Sequence, residues 1–347
     1  MSSAKETKPP TTAPARARLA DVAREAGVSK ALASRVLNGE ELPIRRETSE
    51  RVVAAARRLA YRPHAAARRL RRGETGALSL LVPTLTNPVF TLISRGAVER
   101  ALERDVAVLL IEDGAPEKGD ELVRRLVQSG RIDGSIVSSV QPGHPLLQTL
   151  ERFRIPHVFV HRTVPGSNRN VFMADEKSSA LAVDFLAELG HERIAHVGGE
   201  PFLTTAQRLA EGFSTRAAER GLRDASVVAT DFTEAGGAEA ARQLFALPVR
   251  PTAIYTGSVM QAVGVLHVAA ELDLRVPGDF SLIASGELSL ADFLNPPLTT
   301  ISLPLSELGA VAVDALLAQL AGEEPQDVLV ETNPEVIVRA STEPPRE

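Results

Sequence analysis

Residues 19–39, LADVAREAGVSKALASRVLNG, decide how the N-terminal part of the chain folds. Apolar residues recur at helical spacing over the first half of this stretch, at Leu19, Val22, Ala23 and Ala26. Gly27 follows, and glycine tolerates the left-handed conformation that ends a helix. Ser29 then stands where an N-cap is needed, so a second helix is predicted from Lys30 to Leu37. The stretch therefore reads as two short helices joined by a tight turn.

The second helix turns small and basic residues outward. Leu32 or Ala33, with Val36 and Leu37, would face the first helix. The outward set is then Lys30, Ala31, Ser34 and Arg35. One interpretation is a helix-turn-helix that reads the DNA major groove, and the other is an ordinary helical hairpin with a solvated basic face. For Arg35, a structural pair with Glu25 is the plainer alternative to DNA contact.

Charge is divided unevenly along the 347 residues. Residues 1–73 contain 17 Lys and Arg against 7 Asp and Glu, whereas residues 74–347 contain 22 against 37. A basic head on an acidic body indicates that the head alone meets a polyanion. The chain has no cysteine, which excludes disulfides and thiolate metal sites. No apolar run approaches the length of a membrane span, and the N-terminus lacks a signal-peptide core, so we expect a cytoplasmic protein.

The N-terminal part divides into three predicted regions. Residues 1–17 are expected to be a disordered leader. Residues 18–62 form a helix-turn-helix domain, with a third helix at 47–59. Residues 63–75 form a hinge or linker, because Pro63 ends the helical pattern and HAAARRLRR (64–72) is too short for a stable isolated helix. This segment is either a flexible basic linker or one that folds on DNA, with arginines near phosphates and Leu70 as an apolar wedge.

From Leu78 onward, short apolar strands alternate with amphipathic helices. Strands are predicted at 78–83, 106–111, 134–139, 157–160, 171–175, 193–198, 226–230, 252–256 and 280–284. Helices are predicted between them and again at 304–321. This pattern specifies parallel sheets covered on both faces. The predicted fold is therefore an all-α head followed by an α/β core of two doubly wound parallel-sheet subdomains, with ligands at the carboxyl ends of the strands.

With these motifs in place, the chain resembles the LacI/GalR family of bacterial regulators from about residue 18 to 342. The resemblance rests on these segments, in family order: DVAREAGVSKALASRVLNG, YRPHAAARRL, TLTNPVF, LAELGHERIAHVGG, QRLAEGF, ARQLFALPVRPTAIY and NPPLTTISLPLSELGAVAVDALL. It implies a core like the type I periplasmic binding proteins at 76–342. The first subdomain would comprise 76–172 and 301–323, and the second 173–300 and 324–342.

The resemblance also implies a homodimer that binds a pseudo-palindromic operator and is modulated by a small-molecule effector. The residues expected at DNA are Ser29, Lys30, Ala31, Ser34, Arg35, Asn38, Tyr61, His64, Arg68 and Leu70. The residues expected at the effector are Asn87, Phe90, His161, Asp175, Arg208, Ser258 and Glu287. Phe90 could stack on a ligand or cap the core, and His161 could be a ligand donor or a cleft-wall histidine.

The cleft departs from the family pattern, and this affects the expected effector. His161 stands where an Asp is common, while Ser258 and Gly286 occupy positions given to sugar-binding aspartates. Arg208 would then lack its usual negative neighbours, and an unpaired buried cation is costly. The sequence therefore favours an acidic or phosphorylated effector over a neutral hexose, with a degenerate site that binds no small molecule as the alternative.

The sequence argues against two other classes of protein, an enzyme and an exported sugar-binding protein. Doubly wound sheets host many enzymes, but the sequence contains no nucleophile elbow, Gly-rich phosphate loop or metal-ligand spacing. An exported sugar-binding protein would lack the basic head and would carry a signal peptide. We therefore expect a repressor that is not an enzyme and needs neither a cofactor nor a metal. Tetramerisation stays open, although no heptad repeat follows residue 340.

Overall fold

The structure, a computed structural model, describes residues 17–37, 44–59, 61, 75–113, 116–141, 143–222 and 224–346. The chain divides into two compact units between Thr75 and Gly76. In the first unit, the described helices are α1 (Leu19–Ala26), α2 (Lys30–Leu37) and α3 (Arg46–Arg58). Their shared core is small and made largely of alanine and valine: Val22, Ala23, Ala26, Ala33, Val52, Ala55 and Ala56.

The second unit alternates strands and helices, as predicted. Its described strands are β1 (Ala77–Val82), β2 (Ala107–Glu112), β3 (Gly134–Val137), β4 (His157–Val160), β5 (Asn170–Met173), β6 (Arg193–Gly198), β7 (Asp224–Ala229), β8 (Ala253–Thr256), β9 (Ser281–Ser285), β10 (Thr299–Ile301), β11 (Val328–Val330) and β12 (Val336–Ile337). Its described helices are α4 (Pro88–Glu103), α5 (Pro116–Gln128), α6 (Pro145–Arg152), α7 (Asp175–Glu188), α8 (Thr204–Glu219), α9 (Glu234–Phe245), α10 (Val259–Glu271) and α11 (Leu305–Leu320), with a 3₁₀ turn at Ser289–Phe293.

These elements form two twisted sheets. Sheet A has the order β11-β5-β4-β3-β1-β2, and sheet B has the order β12-β10-β9-β8-β6-β7. Every pairing in sheet A is parallel, whereas β12 joins sheet B antiparallel to β10. The first subdomain is sheet A with α4, α5, α6 and α11, and the second is sheet B with α7 to α10. The chain crosses between them after β5, after β10 and after β11.

One predicted boundary needs correction. Residues 324–342 were expected to lie wholly in the second subdomain, but β11 pairs with β5 in sheet A before β12 pairs with β10 in sheet B. Each of these short strands hydrogen-bonds to the edge of one sheet, where backbone N–H and C=O groups would otherwise be unpaired. Both strands have only two or three residues, too few to give a periodic signal in the sequence.

The same contact between two helices is built once in each subdomain. A Cβ added to Gly96 of α4 would lie 1.8 Å from the carbonyl oxygen of Ser306, at the start of α11. A Cβ added to Gly212 of α8 would lie 2.4 Å from the carbonyl oxygen of Glu176, at the start of α7. Because glycine has no side chain, each pair of helices approaches to backbone contact at this point.

In each helix pair, two arginines that follow the glycine also bind one aspartate of the partner helix. In the first subdomain, Arg100 of α4 and Arg104, which caps the C-terminus of α4, both bind Asp314 of α11, at 2.7 and 2.9 Å. In the second, Arg216 of α8 and Arg220, which caps the C-terminus of α8, both bind Asp184 of α7, at 2.8 and 2.6 Å. The arginines follow the glycine by four and eight residues in both, as GAVERALER (96–104) and GFSTRAAER (212–220) show, whereas the aspartate lies on the partner helix. We call each set of one glycine, two arginines and one aspartate a helix clamp.

Acidification is expected to destabilise the second unit through buried histidines. His196 on β6 is fully buried, stacks on Tyr255 at 4.6 Å and donates Nδ1–H to the Tyr255 carbonyl, at 3.2 Å. Burial lowers the pKa of His196 from 6.5 to about 4. Between pH 6.5 and about pH 4, the unfolded chain therefore binds a proton at His196 that the folded chain does not. As pH falls through this window, the free energy of unfolding decreases by on the order of 3 kcal/mol because of His196.

The check is urea unfolding between pH 7 and pH 4. In His196→Leu, the free energy of unfolding should depend less on pH than in the wild type, even if the variant is less stable at pH 7. His267→Gln should retain it, because the His267 side chain is 65% exposed. Burial also lowers the pKa values of His157, His161 and His191, so some pH dependence should persist in His196→Leu. If the free energy of unfolding of His196→Leu changed with pH as steeply as that of the wild type, His196 would not be the cause.

Candidate DNA-binding head and effector cleft

The turn between α1 and α2 has the predicted capping geometry. Gly27 lies in the left-handed region, with φ of 65°. The Ser29 hydroxyl accepts a hydrogen bond from the Leu32 N–H at 3.1 Å, which caps α2. Val28 packs partly buried on the core of the head. These caps set the direction of α2 relative to α1, and hence the face that α2 presents.

That face carries most of the residues expected at DNA. Lys30, Ala31 and Arg35 are exposed, whereas Ser34 is half-buried. The outward orientation predicted for Ser34 is therefore only partly realised, because it lies at the edge of the buried stripe. Glu25, the alternative partner considered for Arg35, binds Arg58 of α3 at 3.2 Å.

The remaining head predictions divide into two groups. Tyr61 is half-buried, packs against the head core and donates its N–H to the Ala56 carbonyl at 2.9 Å. Its ring therefore has a structural role, whatever it contacts besides. The other predicted DNA contacts lie outside the described residues: Asn38, His64, Arg68 and Leu70.

In the second unit, a cavity of about 280 Å³ opens where the strands of both sheets end. Segments that follow β1, β4, β6, β7 and β8 supply its walls, as expected at the carboxyl ends of parallel strands. Four of the predicted effector residues line it: Asn87, Phe90, His161 and Ser258. We call this cavity the cleft.

Asn87 and Phe90 place the start of α4 at the cleft. Asn87 caps the helix, since its Oδ1 accepts the Val89 N–H at 3.0 Å, so its amide NH₂ is the part left for a ligand. Phe90 is 4% exposed, belongs to the core of the first subdomain and also lines the cleft. Both roles considered for Phe90 are thus compatible with its position.

His161 is a neutral residue in the wall of the cleft, and one of its ring nitrogens is available to donate or accept a hydrogen bond. It follows β4 with φ of 68°, a left-handed conformation that side chains seldom adopt. Burial, with Arg162 and Arg208 nearby, lowers the pKa of His161 to about 3. Its Nδ1 is buried without a hydrogen-bond partner among the described residues. A ligand group reaching Nδ1 would satisfy it.

Arg208 is not the unpaired cation that the sequence predicts. Its guanidinium binds the Asp175 carboxylate at 2.7 and 2.9 Å, and also donates to Thr163 Oγ1 and to the His161 carbonyl. The prediction is wrong because α7 and α8 pack side by side and bring together residues that are 33 positions apart. Burial nevertheless raises the pKa of Asp175 to about 6, against the opposing effect of Arg208.

Arg162 is the cleft cation without a carboxylate partner in the described part of the chain. Its guanidinium donates to the Ser139 carbonyl at a long 3.4 Å and lies 5.7 Å from the centre of the Phe90 ring. Desolvation lowers the pKa of Arg162 to about 10, with Glu200 opposing, so it remains charged at neutral pH. The sequence reasoning noted its neighbour His161 and overlooked Arg162 itself.

Ser258 and Glu287 have structural partners. Ser258 caps α10, its Oγ accepting the Gln261 N–H at 3.2 Å, so the hydroxyl is already engaged. Glu287 binds Arg339 at 2.7 Å and is absent from the walls of the cleft. Gly286 has φ of 91°, a conformation that an aspartate there would seldom adopt.

Sequence reasoning missed the segment that follows β7. The Phe232 ring lies against two glycines, since a Cβ on Gly199 or Gly257 would come within 2.2 or 2.7 Å of it. Phe232 therefore forms a second aromatic wall of the cleft, with Asp231 beside it. Both directly follow the end of a parallel strand, which was the available signal.

Comparison with known proteins agrees with this architecture. The model of the lacI family of bacterial regulatory proteins matches residues 18–64, and that of the periplasmic binding protein-like domain matches 183–342. The ribose operon repressor of Escherichia coli strain K12 is 31% identical over 330 residues, which cover 94% of this chain and 99% of the relative. The chain belongs to the LacI family of bacterial regulatory proteins.

Solved structures of LacI-family proteins share the fold. A LacI-family transcriptional regulator from Mycobacterium smegmatis superposes with a TM-score of 0.72 at 35% identity, covering 78% of this chain and all of that one. The lac repressor dimer, bound to operator and the anti-inducer ONPF, gives a TM-score of 0.79 at 24% identity, covering 94% and 99%. This LacI-family chain is thus a DNA-binding transcriptional regulator with an effector-binding core, and its relatives are regulators rather than enzymes.

Among the described residues, no helix combines the length and apolarity that a membrane span requires. Nor do three or more of their His, Asp and Glu side chains converge in an arrangement suited to a metal ion.

Proposed function

We propose that this protein is a repressor that binds a pseudo-palindromic operator as a homodimer in the cytoplasm, with half-sites roughly 10 bp apart. The exposed face of α2, held by the Gly27 and Ser29 caps, carries the proposal. Lys30 and Arg35 can donate to guanine edges, and Ala31 can abut a thymine methyl. Ser29, Ser34, Asn38, Tyr61, His64 and Arg68 are proposed at the backbone or the hinge, with Leu70 as the wedge.

Binding selection on random duplex DNA, followed by measurement of affinity, tests this function. The intact protein should enrich a two-fold symmetric sequence, and its affinity should fall steeply with salt because the head is basic. Failure of the intact protein to enrich any sequence would contradict the proposal.

Arg35→Ala is expected to weaken operator binding by about 1–3 kcal/mol and to change affinity for random DNA less, because a base contact is lost. Fluorescence anisotropy on both duplexes measures the two effects. Arg46→Ala is the matched control, since Arg46 is exposed on α3 and pairs with Glu50. It should lower both affinities equally if it acts only through charge. Equal losses in Arg35→Ala would assign that residue to phosphate instead.

We further propose that the effector is a small polyhydroxylated acid, such as a sugar acid or a sugar phosphate. Arg162 supplies a charged donor that lacks a carboxylate partner among the described residues. Glu200, Asp231 and Glu234 also line the cleft, and carboxylates accept hydroxyl hydrogen bonds. One ligand that satisfies both sets has an anionic end near Arg162 and hydroxyls elsewhere. The ligand would also contact Asn87, His161 and Phe90. The pair of Arg208 and Asp175 would support the cleft wall, and Ser258 would cap α10.

Calorimetric titration with neutral hexoses, sugar carboxylates and sugar phosphates tests the effector class. Anionic sugars should bind and neutral hexoses should not. Micromolar binding of an uncharged hexose would contradict the proposal, and absence of any binding would favour a cleft that senses no sugar-like molecule.

A further inference from the structure

A second, larger cavity lies at the opposite end of sheet A from the cleft. Its volume is about 650 Å³, and it sits where β4 and β5 begin, between the end of α6 and the segment after α11. β4 runs from one site towards the other: His157 at its start lines the second cavity, and His161 just beyond its end lines the cleft. These two residues are about 13 Å apart along the strand, and no residue lines both cavities, so the sites are distinct.

The cavity has an apolar wall. Its apolar lining residues are Leu147, Leu150, Ile155, Pro156, Phe159, Val164 and Pro325. Leu150, Ile155 and Phe159 also belong to the core of the first subdomain, so this wall is backed by rigid packing.

His157 offers a hydrogen-bond acceptor at this wall. The residue is 7% exposed, and its Nδ1–H donates to the Ile155 carbonyl at 2.7 Å. This bond leaves the lone pair on Nε2, which has no hydrogen-bond partner among the described residues. Burial lowers the pKa of His157 to about 4, so the ring stays neutral at pH 7. A ligand hydroxyl can therefore donate to Nε2.

Arg169 offers a cation beside the histidine. Its guanidinium donates to Gln319 Oε1 at 2.5 Å and has no carboxylate within ion-pair distance in the described part of the chain. It lies near enough to His157 to help lower the pKa of that ring. The remaining N–H groups of a guanidinium suit a carboxylate, which they bind in bidentate fashion. Exposed Glu151 and Glu323 at the rim, opposed by Arg154, disfavour a doubly charged phosphate.

We propose that this cavity is a second ligand site, for a hydroxylated aromatic acid. The carboxylate binds Arg169, the hydroxyl donates to His157 Nε2, and the ring packs against the half-buried Leu147, Pro156 and Val164. The site goes beyond the effector cleft, since it lies at the other end of the strands and uses none of the cleft residues.

Calorimetric titration of the full-length protein tests the site, with 3- and 4-hydroxybenzoate as probes and with benzoate, phenol and inorganic phosphate as comparators. At least one hydroxybenzoate should bind at a single site, about tenfold more tightly than benzoate or phenol, because each comparator lacks one polar contact. Arg169→Gln should weaken it about tenfold, whereas Arg95→Gln, an exposed arginine elsewhere in the same subdomain, should leave it unchanged.

The His157→Phe variant provides a readout that a folding defect would not mimic. It retains a ring but removes the acceptor, so hydroxybenzoate should lose its advantage over benzoate while benzoate still binds. No saturable binding of either hydroxybenzoate to the folded wild type would overturn the proposal. So would binding that is insensitive to Arg169→Gln but abolished by Arg162→Gln, because that pattern locates the probe in the cleft. Neither result bears on operator binding, which stands on its own test.

Discussion

Arg162→Gln is expected to lower affinity for an anionic effector about a hundredfold, the cost of removing one partner from a desolvated charge pair. The same substitution should leave the free energy of unfolding unchanged or raise it. Without ligand, Arg162 is partly desolvated with no carboxylate partner in the described part of the chain, so its charge costs free energy that glutamine does not. Titration calorimetry and urea unfolding of the same two proteins measure both effects.

The neighbouring arginine supplies the matched comparison. Arg208→Gln should reduce the free energy of unfolding by about 3–5 kcal/mol, because it leaves the Asp175 carboxylate buried and without its partner. The two cleft arginines are thus expected to respond oppositely: one variant loses ligand and keeps stability, while the other loses stability. Equal destabilisation by both would show that Arg162 has a structural partner and would remove the basis for an anionic effector.

Gly309→Ala is expected to lower the free energy of unfolding by about 3 kcal/mol, although alanine normally favours a helix by about 1 kcal/mol over glycine. A Cβ at this position on α11 would lie 2.0 Å from the carbonyl oxygen of Ile93 on α4. Relief of that overlap requires the two helices to separate, and their shared core would then be loosened.

Denaturant unfolding of the full chain checks this effect, with Glu99→Ala as the control. Glu99 is exposed on α4, so its replacement should change stability by no more than about 0.5 kcal/mol. A stabilising Gly309→Ala would show that α4 and α11 pack less closely than the structure indicates.

Much of the fold could be predicted from the sequence because its signals are local. The strand runs of the core are nearly continuous in apolar residues, which marks them as buried parallel strands. The caps at Gly27 and Ser29 depend only on neighbours along the chain, and they are present in the structure. The short strands β11 and β12 had no such signal, since their existence depends on the edges that they cover.

The effector site was less predictable because its charges pair across helices. Whether Arg208 is free depends on Asp175, and that contact exists only once α7 lies beside α8. Glu287 looked like a surviving cleft acid, but Arg339 from near the C-terminus binds it instead. Residue identity therefore indicated which groups could bind a ligand, while tertiary packing determined which of them are already occupied.

The two helix clamps differ in the sequence separation of their partners, and hence in how early each can form while the chain is being synthesised. Arg216 and Asp184 are 32 positions apart, whereas Arg100 and Asp314 are 214 apart. During synthesis on the ribosome, the clamp of the second subdomain can therefore close before that of the first, although the first subdomain emerges earlier. Until α11 leaves the ribosome, the part of α4 that packs against α11 has no permanent partner. A nascent chain that stalls before residue 305 would thus present that part of α4 to chaperones and proteases.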